Sequence, residues 1–448
     1  MNYIYKKTFF LLTFLLFWNF YSGAATISLS LDDAINRALD QSINLQKSAI
    51  DLNMAQYRAN SIWSEFFPSF SLGARMDILP STPLFTDPGF GFNPDAMSYS
   101  LSFGVTMRLH AGIPSSMMLT ELAYRRGLLD YENARKRVTL DITKIFYNLL
   151  AGQVNLINLE NSLNLAERQL ERNRIARANG LIGELPWLQS RLSVETARYT
   201  LSTEQGAYDI AFKDFLTALG FERDIDVVLI GSINPEYLEF DTEAIILEYL
   251  PRRPDIISQR QTIERLELSQ RQRNLSSKAP SLSLSAGWSA SPRRNTGLTG
   301  NISDNLSASI SLSIPIDPWI PGTSSNQDFR AMEAELEKAR LDLIERENLA
   351  KAYVRSLSER LRNSWNSIEI ARLRVEIAQR TYELSEAGFN AGTMEFLSFE
   401  NTYHDLNDAR FRLLQSELAY FNYLLDLAYE LNVDLETLSN INISRSNN

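Results

Sequence analysis

Long stretches of the chain place apolar residues three and four positions apart, the spacing that puts them on one side of an α-helix. The clearest stretch, residues 115–178, has no proline and has glycine only at 127 and 152. As one helix it would be on the order of 100 Å long. Two hairpins, each a long helix and a return helix with coiled-coil seams, are therefore predicted. The predicted long and return helices cover residues 114–178, 184–219, 326–390 and 395–432.

The predicted seams contain polar residues. Arg135, Ser364, Arg410 and Glu417 stand at positions where the heptad pattern calls for an apolar side chain. Two interpretations of these four residues stay open. Either they are polar residues tolerated in a helical core, or the helices form the wall of a hollow cylinder. In such a wall the narrow seams contact neighbouring helices while the other faces meet water.

Four shorter segments alternate apolar and polar residues with the period of a β-strand. In one of them Tyr99, Leu101 and Phe103 alternate with serines. Each segment has about ten residues, the length of a tilted strand that crosses a bilayer. A soluble two-faced sheet packed on a core is the alternative, but the polar face is mostly serine rather than charged. Membrane strands are therefore predicted at residues 69–77, 99–109, 281–290 and 306–316.

Turn-rich loops at residues 78–97 and 291–304 join these strands into two hairpins. Four strands cannot close a barrel, because small single-chain barrels start at eight. An open strand edge in lipid would leave backbone groups unpaired, which is too costly. Other copies of the chain must therefore complete the barrel. A dimer would supply eight strands and a trimer twelve, and the periodicity does not choose between them.

The chain is also an internal duplication. Residues 67–72 recur in modified form at 279–284, residues 197–201 recur at 409–413, and Gly180 corresponds to Gly392, all 212 positions apart. Two repeats of about 200 residues should therefore fold alike. Each opens with a helix, at 31–66 and 241–277, and Asp241 is a plausible N-cap. The predicted organisation is a first repeat at 27–220, a connector at 221–240, a second repeat at 241–432 and a tail at 433–448.

Composition limits the chemistry. The chain has no cysteine and two histidines, His110 and His404, and its formal net charge is −10. Disulfides, thiolate metal sites, cysteine nucleophiles and a lipid attached to cysteine are excluded, and a histidine-based metal site or triad is improbable. No catalytic residue, cofactor or metal is expected, so an enzyme is not expected. The negative charge also argues against nucleic acid as a partner.

Residues 1–24 have the pattern of a secretory signal peptide. Lys6 and Lys7 precede an apolar run from Phe9 to Trp18, and small residues follow up to Ala25. The run is shorter than the roughly 20 residues of a membrane-spanning helix, although a retained anchor is the alternative. We expect cleavage after Ala24 or Ala25 and export of the mature protein.

Together these features resemble the outer membrane efflux protein family, the TolC family. The resemblance covers residue 27 to about residue 432. The landmarks that carry it are residues 29–35, Arg253-Pro254-Asp255-Ile256, residues 280–284, Gly180-Leu181 with Leu185 and Leu188, and residues 387–393. The resemblance implies a mainly α protomer with a membrane β-barrel contribution, which forms a homotrimeric α/β tunnel with twelve strands in outer-membrane lipid. It further implies a passive exit duct that a periplasmic adaptor joins to an inner-membrane pump.

The resemblance also implies functional positions. The adaptor would contact the turns at Gly180-Leu181 and Gly392-Thr393. The alternative is that the apolar residues beside these glycines reflect ordinary hairpin-turn chemistry and bind no partner. Family members typically close the tunnel with acidic residues after the second turn. This chain has Ser398 and Asn401 at the positions that often carry aspartate, with Glu395 and Glu400 nearby, and Pro186 at the matching position of the first repeat.

Two other function classes remain as alternatives. One is an exported trimeric coiled-coil adhesin or envelope spacer, for which the amphipathic strands would be unnecessary. The other is a soluble periplasmic hydrolase, which no cluster of nucleophile and base supports. The cargo cannot be inferred from the sequence, because drugs, metal ions and polypeptides all leave through ducts of this architecture.

Overall fold

The computed structural model describes residues 27–78, 85–86, 91–92, 97–221, 227–233, 235–292, 302–434 and 438. The predicted signal peptide lies outside the described residues. So do most of the predicted C-terminal tail and parts of the hairpin loops and of the connector.

Helices and strands follow the same order in both halves of the described chain, except that the first half also contains the two short strands β3 and β4. The described elements are β1 (Ile27–Leu29), α1 (Leu31–Gln41), α2 (Ile43–Asn60), β2 (Ser69–Ile78), β3 (Phe85–Thr86), β4 (Gly91–Phe92), β5 (Met97–His110), α3 (Ile113–Ala178), α4 (Glu184–Ala218), β6 (Val227–Leu229), α5 (Thr242–Tyr249), α6 (Pro254–Lys278), β7 (Ser281–Pro292), β8 (Ile302–Ser313), α7 (Ser324–Asn390) and α8 (Phe396–Leu431). Short 3₁₀ turns at Ile62–Phe66, Leu250–Arg252 and Asp317–Trp319 follow α2, α5 and β8.

The helix that opens each repeat is broken, where the sequence pattern predicted a continuous one. Ser42 has an extended backbone after α1, and its hydroxyl accepts the Leu45 N–H at 3.3 Å, so it caps α2. In the second repeat a 3₁₀ turn containing Pro251 separates α5 from α6, and Pro254 begins α6. Asp241 caps α5 as predicted, accepting the Glu243 and Ala244 N–H groups. Local caps and prolines thus override the apolar periodicity.

The strand predicted at 306–316 lies earlier in the chain, since β8 runs from Ile302 to Ser313. Pro315 lacks a backbone N–H and the residue before it is conformationally restricted, so pairing stops before that point. Ile314 and Ile316 continue the alternating pattern in sequence, yet they lie outside the strand and are exposed.

The chain divides into two compact units, and the division cuts across both repeats. The first unit contains residues 1–47, 132–253 and 348–448, and the second contains 48–131 and 254–347. The first unit holds α1, α4, α5, α8 and the C-terminal parts of α3 and α7. The parallel strand pair β1–β6 belongs to it as well.

Two hydrophobic clusters of the first unit show the duplication directly. One joins α1, α3, α4 and the β1–β6 pair, and the other joins α5, α7 and α8. Buried residues occupy corresponding positions in the two clusters. The corresponding pairs are Ile142 and Val354, Leu149 and Leu361, Phe215 and Leu427, and Leu219 and Leu431. The fold is therefore a duplicated protomer in its packing as well as in its sequence.

The second unit is built on a four-stranded antiparallel sheet in the order β2-β5-β7-β8. Phe103 lies opposite Leu72 on one side and Trp288 on the other, and Trp288 lies opposite Leu306. Apolar side chains thus share one face of the sheet, and that face is exposed to a large extent. On the other face, Ser71 pairs with Gly104 and Ser102 with Gly73, and a Cβ at either glycine would come within 2.9 Å of the serine hydroxyl.

The helices of the second unit are joined by polar contacts between α6 and α7. Buried Gln259 donates to the Ala339 carbonyl at 2.9 Å, and Arg340 pairs with Glu267 at 3.0 Å. Among the described residues, no helix is both long enough and apolar enough to cross a membrane.

Candidate functional site: the two helical turns and the residues behind them

The two turns that sequence analysis singled out have the same backbone geometry. Gly180 and Gly392 adopt left-handed conformations, with φ of 72° and 74°. The Gly180 and Leu181 N–H groups bond back to the carbonyls of Arg177 and Ala176, and the second turn repeats both bonds. This is a Schellman motif, in which glycine ends a helix without steric strain. Since no atom lies within 4 Å of an added Cβ at either glycine, backbone conformation alone requires glycine there.

The first turn presents apolar side chains to its surroundings. Leu181 is 75% exposed, and Leu185 and Leu188 at the start of α4 are also exposed. Thr393 of the second turn is exposed too, but its hydroxyl donates to the Gly388 carbonyl at 3.0 Å. These leucines leave much of their apolar surface uncovered by the hairpin, and that surface is available to a binding partner.

Arg177, near the end of α3, braces the first turn. Its guanidinium lies 3.3 Å from a Glu184 carboxylate oxygen and 4.3 Å from the centroid of the Trp187 ring. Asn173 donates to the Pro186 carbonyl at 3.4 Å. These contacts tie α3 to the first turn of α4.

An aromatic cluster lies behind the second turn. The rings of Phe389 and Phe399 stack with centroids 5.2 Å apart, and Tyr382 lies 5.6 Å from Phe399. Burial, aided by nearby Glu386, raises the pKa of Tyr382, which keeps its hydroxyl protonated and able to donate to Glu386 at 3.4 Å. Arg172 of α3 lies 5.4 Å from the Phe389 ring, within reach of a cation–π contact that links the two hairpins.

The four residues predicted for a constriction are not equivalent in the structure. Glu395, Ser398 and Asn401 are exposed and follow one another at three-residue intervals at the start of α8. Glu400 is buried, with 9% exposure, and its carboxylate lies 3.9 Å from Nε2 of His404. The structure therefore brings three of these residues onto one exposed stripe and separates Glu400 from them.

Polar residues on the helical seams find partners across the seam. Glu417 lies 3.5 Å from Arg372, and Arg410 donates to Gln379 at 2.8 Å. Burial raises the pKa of Glu417, and the nearby Arg372 guanidinium opposes that shift. Ser364 is buried. Glu417 and Arg410 are thus polar links between α7 and α8.

Sequence analysis did not identify the contacts of Arg172 and Arg177. Each is one of many charged residues of a long helix, and a contact with an aromatic ring on another helix leaves no periodic signal. Tyr382 and Phe389 are seven residues apart, the spacing of a helical seam, which does not show that they cluster with Phe399. The aromatic residues near the end of α7 and in the first turns of α8 were the available signal.

Comparisons with known proteins agree with this architecture. The sequence signature of the family described as "Outer membrane efflux protein" matches residues 34–221 and again 245–431. A relative described as "Toxin and drug export protein A" of Aggregatibacter actinomycetemcomitans is 21% identical over 427 residues, which are 90% of this chain and 87% of the relative.

Two solved structures are similar in fold. The CmeC outer membrane channel of Campylobacter jejuni superposes with a TM-score of 0.70 at 16% identity, covering 93% of this chain and 88% of CmeC. The outer membrane protein VceC of Vibrio cholerae gives a TM-score of 0.67 at 16% identity, over 90% and 96% of the two chains. The family signature covers both repeats and the fold is duplicated in the same places, so this chain belongs to the outer membrane efflux protein family.

Proposed function

We propose that the protein is the outer-membrane channel of a tripartite efflux or type I secretion system. Three copies contribute four strands each to one twelve-stranded barrel, and their helices enclose a periplasmic tunnel. The channel is a passive conduit, and an inner-membrane pump joined to it by a periplasmic adaptor supplies the energy and selects the cargo. Export from the periplasm or the cytoplasm to the exterior is the function.

The observation that carries this proposal is the four-stranded sheet. Its two outer strands, β2 and β8, each have one neighbour among the described strands, and one face is mostly apolar and largely exposed. Such a sheet is stable in water only if its face and its edges are covered. A lipid bilayer covers the face, and the strands of other copies cover the edges.

Adjacent residues of β8 provide a matched test. Ile310 lies on the apolar face and Ser311 on the opposite face. We expect Ile310→Arg to prevent stable membrane insertion, because an arginine facing lipid costs roughly 2–4 kcal/mol at the membrane centre. Ser311→Arg should leave insertion intact and alter the conductance of single channels in planar bilayers. Equal effects of the two substitutions, or wild-type protein that stays soluble without detergent, would refute the proposal.

The turns are proposed as the adaptor contact. Gly180, Leu181, Gly392 and Thr393 form the ends of the two hairpins, and exposed Leu181 offers the apolar surface. Leu181→Asp should abolish co-purification with the adaptor and leave channel conductance unchanged. Gly183→Ala, at an ordinary φ of −76°, should leave both adaptor binding and conductance unchanged. A conductance that changed along with adaptor binding would point to a structural role of the turn.

The exposed stripe of Glu395, Ser398 and Asn401 is proposed as the periplasmic constriction, with Glu395 as its acidic member. Glu395→Gln should lower the preference of the channel for cations over anions. Glu400→Gln should not, since Glu400 is buried. Unchanged ion selectivity in the Glu395 variant would place the constriction elsewhere.

A further inference from the structure

A cavity in the second unit carries charges of both signs. It has a volume of about 320 Å³, and all of its lining residues belong to α2, α3 and α6 of one chain. Cavities of this size hold small molecules in many proteins. The charged and amide side chains that line it are those of Asp51, Arg58, Arg126, Asp130, Gln261 and Arg265.

Contacts between the three helices fix the height of each lining residue above or below its neighbours. A Cβ added at Gly127 of α3 would lie 3.5 Å from Leu52 and 3.6 Å from Ala55, so α2 and α3 are close at this point. Arg126 of α3 donates to the Thr262 hydroxyl of α6 at 3.1 Å. Helices α2 and α6 each precede a strand of the sheet, whereas α3 follows one. In the chain direction, α2 and α6 therefore run toward the sheet and α3 runs away from it.

This arrangement places opposite charges at opposite ends of the cavity. Arg58 and Arg265 follow the contact points on α2 and α6, so both lie toward the sheet. Asp51 precedes the contact on α2 and Asp130 follows it on α3, so both lie away from the sheet. Asp51 and Arg58 are about two helical turns apart, on the order of 10 Å along the axis of α2. The cavity therefore has a cationic end and an anionic end.

Several of these groups have no protein partner. Arg126 lies 3.9 Å from the Asp130 carboxylate. Arg58, Arg265 and Asp51 are exposed and form no ion pair with any described residue.

Gln261 adds an unsatisfied polar atom to the same cavity. Its side-chain oxygen is buried and accepts no hydrogen bond from the part of the chain that the structure describes. A buried acceptor without a donor costs free energy. Rotation of the carboxamide toward a ligand with an N–H group would recover that cost.

We propose that this cavity binds a small linear zwitterion, with a carboxylate at one end and an ammonium group at the other. The carboxylate pairs with the guanidinium groups of Arg58 and Arg265, which suit planar anions. The ammonium group pairs with Asp51 and donates to the turned carboxamide oxygen of Gln261. An ω-amino acid, or the two termini of a short peptide, has this form. The charges of an α-amino acid are too close together to reach both ends.

The probe for this site is 6-aminohexanoate. Isothermal titration calorimetry on the full chain in detergent, corrected for the heat of mixing with detergent alone, should give a dissociation constant in the millimolar range or below. Hexanoate and hexylammonium keep the chain length but carry one charge each. They should bind roughly tenfold more weakly, because each loses one set of charge-assisted hydrogen bonds. A singly charged analogue that binds as tightly as the zwitterion, or a zwitterion that does not bind at millimolar concentration, overturns the proposal.

Variants at the two ends test the orientation of the ligand. Arg58→Gln should weaken binding of the zwitterion roughly tenfold and remove its advantage over hexylammonium. Asp51→Asn should weaken it similarly and remove its advantage over hexanoate. Arg271→Gln is the control, because Arg271 is exposed on α6 but does not line the cavity, and it should change neither. End variants that leave the affinity for the zwitterion unchanged overturn the proposal.

An uncharged substitution separates loss of the site from loss of charge. Ala123 lines the cavity and is exposed on α3, so Ala123→Leu should fill part of the cavity and weaken binding, whereas Ala123→Ser should not. Wild-type affinity in the leucine variant would place the ligand elsewhere and overturn the proposal. The site lies within one unit of one chain and does not depend on the proposed function. Protein that conducts in planar bilayers but binds no zwitterion refutes only this site, and protein that binds it but never conducts refutes only the channel.

Discussion

The ring of Phe399 stacks on that of Phe389 with centroids 5.2 Å apart and 6° between the ring planes. Phe399 is also buried, so the two rings pack in the interior of the second hairpin, next to its turn. We expect Phe399→Ala to lower the free energy of unfolding by roughly 3–5 kcal/mol, the usual cost of removing a buried phenylalanine. Denaturation of detergent-solubilised protein, followed by circular dichroism, measures this loss. Phe399→Leu keeps most of the buried volume and should cost clearly less, and equal losses would show that the retained volume does not matter there.

The second turn provides a prediction about backbone conformation. Gly392 has a φ of 74° and open space around it, so any cost of substitution comes from the backbone alone. Gly392→Ala should destabilise the hairpin by about 1–2 kcal/mol. Gly392→Asn should cost less, because asparagine tolerates this region, as Asn432 with a φ of 59° does in this chain. Limited proteolysis at the turn compares the variants, and faster cleavage of the Asn variant than of the Ala variant would contradict the argument.

Glu417 should make the stability of the fold depend on pH with a sign that is unusual for a carboxylate. Burial raises its pKa in the folded protein, with Arg372 opposing, so the folded state binds more protons than the unfolded state. The folded state is therefore favoured at low pH, and stability declines as pH rises from the ordinary glutamate pKa through the raised one. Glu417→Gln should remove this decline. Thermal unfolding at a series of pH values detects it.

Glu383 is the matched control for that experiment. Hydrogen bonds from Gln379 and Arg380 lower the pKa of this exposed carboxyl, so its small contribution is present above the ordinary pKa and is lost as pH falls. Glu383→Gln should therefore shift stability with pH in the opposite direction. If both variants changed the profile with the same sign, the argument from burial would fail.

Arg253, in one of the landmarks that the sequence analysis quoted, forms a partly buried ion pair with Glu430 of α8 at 2.5 Å. Arg253→Met should destabilise the protein by roughly 3–5 kcal/mol, since it leaves a carboxylate without its partner in a desolvated site. The double variant Arg253→Met/Glu430→Leu should recover most of this loss. A double-mutant cycle of unfolding free energies measures the coupling, and additive losses would mean that the two side chains act independently.

Much of the fold could be predicted from the sequence because its signals are periodic and occur twice. The long helices and the strands of the sheet show clear periods. The duplication, read from a few landmarks such as Gly180 and Gly392, reappears in the packing of equivalent buried residues. Resemblance to the outer membrane efflux protein family rested on those same landmarks, and the family match over both repeats confirms it.

What could not be predicted depends on single contacts rather than on periods. The break at Ser42 depends on one side-chain cap, and the early end of β8 on one proline. Glu395 and Glu400 look alike in the sequence, but helical position makes one exposed and the other buried. Arg172 reaches an aromatic ring on another helix, a relationship that no spacing along one helix encodes.

The serine face of the sheet carries one last consequence. Ser69, Ser71 and Ser102 donate their hydroxyls to backbone carbonyls of the neighbouring strand, and Ser285 bonds Ser309. The same face also carries Arg75, Asp77 and Arg108, and Arg75 lies 3.4 Å from Asp77. In the proposed channel this face would be wettable along its length, and its ionic groups would be confined to a few positions between the serines, so a substitution at Arg108 should change the conductance more than one at Ser285.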